Sequence, residues 1–543
     1  MKFAKYEKWI FLGVCLVLVF LVYGRSLWGG FVFDDRAIVE NQGWLAPIKN
    51  VGLVLAAPFW DEPTGLYRPI TLLSYNLNFL LGQQPWVFHL VNLLLYALSG
   101  WLLFEVVNKF FHNKVLAYLA AILFLVLPIH VEAVAYITGR SELLALFFSL
   151  LFFWELARDK TSWWRTALWL LLALGSKETA VAAWLIALGL VWFKEKKLFC
   201  REVWEKYLLT IVSCLGSLVV YFGARVIILG QQYFLSAGLN PIQNPLKQAP
   251  VLARVSTALK VLLLYLGKSF WPANLCPDYS FNQIPIATNL KNPEAILGLV
   301  VLFILLAAIF VFWKRAPILS LGALWFLSAY LVISNLFFPI GTIAAERLIY
   351  YSSVGLCLWL AGGIMFLGQI KKPPVFKWLA VILSVAIILI FCLVAWRQSG
   401  YWLTEKSVFE RAVACSPNSV FARANLGVLY LNAGNVAAAK EQLLASQQIL
   451  PEGTAGGNNA LGMIYLEEKN YALAKEMFLK NVATRYNNLF FEHACINLAV
   501  IAIEQGNLAE ARQWLKKIGL SEQGTTDFIG KYQASHSLKG AAK

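Results

Sequence analysis

Two adjacent carboxylates, Asp34 and Asp35, directly follow the first apolar segment of the chain. Adjacent side chains cannot point the same way on a strand or a helix, so one would face a reacting group while the other orients it or meets a ligand. A carboxylate beside a second acid can act as general base for a hydroxyl nucleophile. A pair of Asp residues that only caps a loop fits the same pattern. The pair is therefore a candidate catalytic centre, with a capping role as the open alternative.

Four basic residues have the chemistry to bind a phosphate group. Arg347 and Arg140 would act as bidentate partners, Lys177 would act as a point charge, and Arg68 belongs to the same set. Each of them could instead serve membrane topology or a structural ion pair. Six further polar residues are candidates to support the site, namely Glu132, Glu142, Glu178, Glu346, His130 and Asp278.

Signals for a metal, a cofactor or redox chemistry are weak. His130 and Glu132 diverge on a helix, so a hydrogen-bonded structural histidine fits better than a metal ligand. No phosphate-binding GxxxxGK motif, no GxSxG and no HExxH occurs. The eight Cys are scattered without CxxC or zinc spacing, and several lie in apolar runs, where Cys acts as a small hydrophobe. We therefore predict no redox chemistry and assign no cofactor, while a divalent metal stays open.

The composition identifies the environment of these residues. Hydrophobic residues make up 59% of the 543 residues and charged residues 14%, against about 25% charged in soluble domains. This composition predicts an integral membrane protein. The net charge of +16 fits a polytopic chain whose basic residues collect in cytoplasmic loops. No basic patch with interleaved aromatic residues occurs, which argues against a nucleic-acid partner.

Eleven apolar segments are counted as membrane spans. They run over roughly 9–28, 86–107, 115–133, 142–157, 163–175, 179–193, 207–229, 295–313, 316–336, 348–369 and 376–396. Basic residues cluster in alternate loops, and the short loops on the other side hold one each, Arg140, Lys177 or Arg347. The positive-inside rule then predicts a cytoplasmic N-terminus in the cytoplasmic (inner) membrane.

Residues 1–396 form the predicted transmembrane domain, with exterior loops at 29–85 and 230–294. The segment 251–270 is apolar enough to span, but Arg254, Lys260 and Lys268 interrupt it. A span here would also place the basic residues 314–315 outside. We interpret 251–270 as an interfacial or re-entrant helix of the second exterior loop.

Residues 402–520 show internal repeats. Asn425-Leu-Gly, Ala460-Leu-Gly and Asn497-Leu-Ala recur at spacings of 35 and 37 residues. Each is followed by a turn and then by an Ala at a crowded position between helices, with turns at Gly434-Asn435, Lys469-Asn470 and Gly506-Asn507 and alanines at Ala439, Ala474 and Ala511. This period is typical of about 3.5 tetratricopeptide repeats, followed by a polar tail over 521–543. Eleven spans from an inside start predict that the repeats lie outside.

All the polar candidates of the membrane part fall on the predicted outer side. Ionisable groups at span ends are often simply solvated. A convergent set of both signs on one face instead indicates a site for a charged substrate at the membrane surface.

The same residues lie in motifs that resemble a known family. These are FDDRAIVEN at 33–41, YRPIT at 67–71, PWVFHLVNLLL at 85–95, PIHVEAVAYITGRSE at 128–142, SKE at 176–178 and AERLIY at 345–350. In this order they resemble the transmembrane and tetratricopeptide repeat-containing protein O-mannosyltransferases, which are GT-C glycosyltransferases. The likeness covers nearly the whole chain, and its short repeat array resembles a bacterial member of the family.

The resemblance implies an all-α, GT-C-type bundle of about eleven spans followed by a tetratricopeptide-repeat α-solenoid. It also implies that Asp34 and Asp35 form the catalytic centre. The expected activity is inverting transfer of a sugar, mannose by the family's name, from a polyprenyl-phosphate donor to Ser or Thr of a protein on the outer face. Transfer to a lipid or cell-wall glycan stays open, as does a non-catalytic scaffold that recruits partners through its repeats. A transporter would want charged residues near mid-span and inverted internal symmetry, and we find neither.

Overall fold

A computed structural model describes residues 2–41, 45, 51–60, 65–196, 200–230, 240–368, 375–483 and 488–541. Parts of both predicted exterior loops and the end of the polar tail lie outside these residues. The chain forms two compact units, Met1–Pro277 with Pro285–Arg411, and Asp278–Ile284 with Ala412–Lys543. The second division follows Arg411. The sequence analysis placed the start of the repeats earlier, at residue 402. Within the described ranges the structure contains helices and no β-strand, as the predicted all-α class requires.

The first unit is a bundle of long apolar helices joined by short helical turns. Its helices are α1 (Lys2–Tyr23), α2 (Val51–Leu55), α3 (Pro69–Asn78), α4 (Pro85–Phe111), α5 (Lys114–Val126), α6 (Val131–Ala135), α7 (Arg140–Leu156), α8 (Trp163–Ser176), α9 (Ala183–Glu195), α10 (Arg201–Leu229), α11 (Val251–Phe270), α12 (Pro293–Val311), α13 (Pro317–Ile333), α14 (Tyr350–Gly368) and α15 (Val375–Ser399). Helix α4 packs against α1, α5 and α7, and α13 packs against α14. A polytopic helical bundle is therefore confirmed.

The number of spans differs from the prediction. Among the described residues seven helices are long and apolar enough to cross a membrane, or eight if α5 and α6 form one bent span. These two helices meet at 51°, because Pro128 cannot continue the helix that the apolar run 115–133 predicts. Helix α13 is apolar but has only 17 residues, and α8 and α9 have 14 and 13. The count of eleven is thus not confirmed.

Helix α11 packs against α12 and also contacts α13. Lys260, in the middle of α11, lies 2.7 Å from Glu294 in the first turn of α12. The hydroxyl of Tyr330, near the end of α13, donates to the carbonyl of Ala258 at 2.9 Å. The middle of α11 therefore lies level with one end of each of these helices, which favours the interfacial interpretation.

The second unit contains antiparallel helix pairs. Helix α16 (Glu405–Cys415) crosses the division, and α17 (Val420–Asn432), α18 (Val436–Ile449), α19 (Ala455–Glu467), α20 (Tyr471–Ala483), α21 (Asn488–Glu504), α22 (Leu508–Lys517) and α23 (Glu522–Ala541) follow. Consecutive helices pack as α17 with α18, α19 with α20 and α21 with α22. The three predicted turn residues Gly434, Lys469 and Gly506 all have left-handed backbone, and the three predicted alanines are fully buried. The tetratricopeptide arrangement is therefore confirmed.

Two cysteines are in a bonded state that the sequence analysis did not predict. Cys276 and Cys415 are disulfide-bonded, whereas six other cysteines are free thiols. Neither residue lies in a motif with characteristic cysteine spacing, so the sequence pattern could not indicate this state. Disulfides persist mainly in oxidising compartments.

Candidate active site

The loop that carries the acidic pair is held by backbone hydrogen bonds to Asp35. Phe33, directly before the pair, has left-handed backbone with φ 55°, a conformation that is strained for an aromatic residue. The Asp35 carboxylate is fully buried and accepts from the backbone N–H of Thr138 at 2.8 Å and of Val32 at 3.2 Å. One oxygen thus joins the loop to the turn before α7 and the other binds the backbone of the loop itself, which suits Asp35 to orient the pair.

Asp34 is the member of the pair that keeps part of its surface exposed. Its backbone N–H donates to the Tyr136 hydroxyl at 2.8 Å. Burial raises the pKa of Asp34, while the charge of Arg347 and a hydrogen bond from Tyr136 lower it in part. A carboxylate that is more basic than usual, on a residue that is not fully enclosed, is suited to take a proton from a hydroxyl group.

Burial also raises the pKa of the second carboxyl of the pair. Burial raises the pKa of Asp35 to about 8, the hydrogen bonds from Thr138 and Val32 oppose that rise, and the charge of Asp34 adds to it. A carboxyl with this pKa is mostly protonated at pH 7, since two like charges side by side disfavour each other.

Arg347 approaches Asp34 from the turn before α14. Its guanidinium forms an ion pair with the buried carboxylate of Glu132, and its backbone N–H donates to the other Glu132 oxygen at 2.8 Å. The guanidinium also lies 5.9 Å from the ring centroid of Tyr136. The Arg347 side chain keeps 24% of its surface exposed, so it is fixed in place and still open to a ligand.

The turn that carries Tyr136 and Thr138 is held by polar groups of α3 and α4. Asn92 donates to the carbonyls of Tyr136 and Ile137 at 3.1 and 3.3 Å. Gly139 ends the turn where the chain approaches itself closely, because a Cβ atom there would lie 2.3 Å from the carbonyl oxygen of Ala133. The site thus depends on a backbone path that a side chain at 139 would block.

Arg140 has a structural role in place of the predicted contact with phosphate. It is fully buried and donates to Asn92 Oδ1 at 2.8 Å and to the carbonyl of Phe88 at 2.7 Å. Its guanidinium also lies 4.8 Å from the ring centroid of Tyr75. The hydrogen bonds of Arg140 therefore stabilise the turn, and the residue is not presented to a ligand.

Two more predicted cations lie in a buried ion cluster. Lys177 pairs with Glu142, and burial lowers the pKa of Lys177 to about 8, while Glu142 opposes that shift. Arg68 donates through Nε and NH2 to Glu178 Oε2 at 3.1 and 3.0 Å. The charges of Arg68 and Arg347 also lower the pKa of Lys177, so the three cations lie close enough to interact.

Glu178 is also shared with Arg225, a residue that the sequence analysis did not include. Arg225 NH1 lies 3.5 Å from Glu178 Oε1. Burial works to raise the pKa of Glu178, but Arg68 and then Arg225 hold it below its usual value. An arginine inside the predicted span 207–229 was a signal that could have revealed this member of the cluster.

The remaining predicted residues are held in structural contacts. His130 lies between the hydroxyls of Tyr96 and Ser353 at 2.9 and 2.6 Å, as expected for a structural histidine. Glu346 Oε1 accepts from the backbone N–H of Cys276 at 2.6 Å. Asp278 belongs to the second unit. The structure therefore gathers Asp34, Asp35, Glu132 and Arg347, with Lys177, Glu142, Arg68 and Glu178 beside them, and gives His130, Glu346 and Asp278 other surroundings.

Asp278 stabilises the start of the repeats. Its carboxylate accepts from the hydroxyls of Ser280 and Ser419 at 2.6 and 2.5 Å. Ser419 in turn caps α17 by accepting from the backbone N–H of Ala422.

In the part of the chain that the structure describes, no group of three or more His, Cys, Asp or Glu is arranged to hold a metal ion, so we assign no metal ligands.

Fold and site together define a polytopic helical membrane protein with an acid–arginine cluster and a repeat unit. Known proteins with similar sequences have names that fit this description. Tetratricopeptide repeat matches occur at residues 408–441, 455–482 and 493–517. Protein O-mannosyl-transferase TMTC3 of Homo sapiens is 28% identical over 79% of this chain and 50% of its own length. Protein O-mannosyl-transferase F38B6.6 of Caenorhabditis elegans is 27% identical over 76% of this chain and 59% of its own.

Protein O-mannosyl-transferase TMTC4 of Homo sapiens is 28% identical over 77% of this chain and 63% of its own length. These similarities confirm the resemblance that the motifs predict. The chain spans between half and two thirds of the length of these relatives.

Proposed function

We propose that this protein is an inverting glycosyltransferase that moves mannose from a polyprenyl-phosphate donor to Ser or Thr hydroxyls of proteins. The observation that carries the proposal is Asp34, a residue that is not fully enclosed and whose pKa responds to the charge of Arg347, in a chain similar to protein O-mannosyl-transferases. The repeat unit supports a protein acceptor, because tetratricopeptide arrays commonly bind polypeptide segments.

In the proposed reaction Asp34 takes the proton of the acceptor hydroxyl. The hydroxyl oxygen forms a bond with the anomeric carbon while the bond from that carbon to the phosphate oxygen breaks. The electron pair of the breaking bond leaves with the lipid phosphate, whose charge Arg347, Lys177 and Arg68 would neutralise. Asp35 would hold the loop of Asp34 through its bonds to Thr138 and Val32. A single displacement of this kind inverts the anomeric configuration.

The outer face of the cytoplasmic membrane is the proposed location of the site and of the repeats. The disulfide-bonded state of Cys276 and Cys415 supports it, because thiols in the cytosol are kept reduced. The first residue belongs to the predicted second exterior loop and the second to the first helix of the repeat region. The basic loops predicted to face the cytoplasm support the same orientation.

The test is transfer of labelled mannose from polyprenyl-phosphate mannose by variants of the acidic pair. Asp34→Asn should lower kcat by about 10²–10⁴-fold and leave the melting temperature unchanged. Asp35→Asn should lower both kcat and the melting temperature. The amide NH2 group is a donor, so it would face one of the two backbone N–H groups, of Thr138 or Val32, without an acceptor between them. Full activity in both variants would contradict the proposal.

A further inference from the structure

Arg225, near the C-terminal end of α10, is a mostly buried cation without a carboxylate of its own. Its side chain is 15% exposed. NH2 donates to the carbonyl of Gly65 at 2.6 Å, and NH1 lies 3.5 Å from Glu178, beyond the usual range of a hydrogen bond. Its Nε is buried and has no hydrogen-bond partner among the described residues. A guanidinium with an unused donor in this setting has capacity for an anion.

The surrounding charges add to that capacity. Arg68 already uses two nitrogens on the single carboxylate of Glu178, so two guanidinium groups share one anion. The neighbouring cation, Lys177, is paired with Glu142. Three cations thus face two carboxylates, and the most exposed of these five side chains, Glu178, is only 21% exposed. An uncompensated buried charge is costly, and a bound anion would remove that cost.

The element that carries Arg225 also indicates what kind of anion would bind. About 17 Å along α10 from Arg225, Cys214 begins a stretch that lines a cavity of about 70 Å³. Trp184 and Leu188 of α9 and Ile211 of α10 are among its apolar walls. A helix with a cation near one end and an apolar cavity further along suits a lipid phosphate better than a free phosphate ion.

We propose that Arg225 and Arg68 together bind the phosphate of a polyprenyl-phosphate ligand, with Glu178 as their counter-ion when the ligand is absent. The proposal rests on the proposed function for the identity of that ligand as the donor. Guanidinium groups bind phosphate oxygens in a bidentate manner. Arg225 is thereby a binding residue for the donor, distinct from Arg347 beside Asp34.

The test measures binding of farnesyl phosphate to the full chain in detergent, with farnesol and inorganic phosphate as comparison probes. Arg225→Gln should weaken farnesyl phosphate binding about tenfold or more, and Arg225→Lys, which keeps the charge, should weaken it less. The matched control is Arg254→Gln, since Arg254 donates to the carbonyl of Phe337 and lies outside the cluster. Melting temperatures measured without ligand identify any variant that fails to fold. If Arg225→Gln fails to fold, the binding of farnesyl phosphate by Arg225→Lys tests the proposal instead.

Unchanged farnesyl phosphate binding by Arg225→Gln, or by Arg225→Lys where Arg225→Gln fails to fold, would overturn the inference. Binding of farnesol as tight as that of farnesyl phosphate would overturn it as well, and competition by inorganic phosphate at equal concentration would overturn the assignment to a lipid. Asp34→Asn separates the two proposals, because it should bind farnesyl phosphate like the wild type while its sugar transfer falls by about 10²–10⁴-fold. A wild type that binds farnesyl phosphate through Arg225 but transfers no mannose would refute only the proposed function.

Discussion

At the scale of single residues, the electrostatic surroundings of Asp34 determine how the proposed reaction should depend on pH. Asp34 must be ionised to accept a proton, so activity falls as the pH falls through its pKa. Burial raises that pKa above the usual value of about 4. The acidic limb of the kcat/KM profile should therefore lie at higher pH than for an exposed aspartate.

Two neighbouring charges shift the pKa of Asp34 in opposite directions, so their removal tests this prediction. Glu132 raises the pKa of Asp34 and Arg347 lowers it. Glu132→Gln should therefore move the acidic limb to lower pH, and Arg347→Gln should move it to higher pH with a lower rate overall. The measurement is kcat/KM for the mannosyl donor from pH 4 to pH 9. Shifts of both variants in the same direction would contradict the assignment of Asp34 as the base.

Much of this cluster could be predicted from sequence, because ionisable residues are few in an apolar chain and stand out. The sequence could not separate Arg140 from Arg347, since both are arginines in short loops on the same predicted side. They differ in their neighbours: Arg140 meets the Asn92 side chain and the Phe88 carbonyl. Tyr136 also escaped prediction, because an aromatic residue in an apolar run has the same pattern as core packing.

At the scale of elements, the turn between α6 and α7 depends on the absence of a side chain at Gly139. A Cβ there would lie 2.3 Å from the Ala133 carbonyl oxygen, and both groups belong to the backbone. Gly139→Ala should therefore displace the neighbouring Thr138 N–H from Asp35 and destabilise the protein by about 1–3 kcal/mol. Destabilisation also lowers the fraction of folded protein at the assay temperature. Transfer activity should fall at least tenfold more than this loss of folded protein accounts for.

The control for this prediction is Gly341→Ala, because nothing lies within 4 Å of a Cβ at that position. It should match the wild type in melting temperature and in transfer rate. A Gly139→Ala variant that keeps full activity would show that the Thr138–Asp35 hydrogen bond does not position the acidic pair.

Helix lengths mark the limit of the sequence analysis at this scale. Hydropathy predicts α1, α4, α10, α12 and α15 well, since each is a long run with few charges. It predicts α8 and α9 poorly, because these short helices end at turns that carry Lys177 and Glu178. Two of the candidate residues, Lys177 and Glu178, occupy this interruption, so the helices that are hardest to predict are the ones that hold part of the ion cluster.

At the scale of the whole molecule, residues 400–411 belong to the first unit and contact the active-site loop. The ring of Trp402 lies 5.1 Å from that of Tyr136, and the carbonyl of Leu403 accepts from the backbone N–H of Gly30 at 3.0 Å. Glu405 also forms an ion pair with Arg36 at 3.0 Å. A truncation at 402 would therefore disturb the loop of Asp34 and Asp35 as well as remove the repeats.

The role of the repeats is tested by two truncations that differ in this respect. Removal of 420–543 deletes α17 to α23 and keeps Trp402, Leu403 and Cys415. It should leave transfer to a short Ser/Thr peptide within about threefold of wild type while transfer to whole acceptor proteins falls at least tenfold, because an array of helix pairs can hold an extended acceptor segment. Removal of 402–543 should abolish both, since it also takes away the contacts to Tyr136, Gly30 and Arg36. Equal loss of peptide and protein transfer in the 420–543 deletion would mean that the repeats hold the fold and not the acceptor.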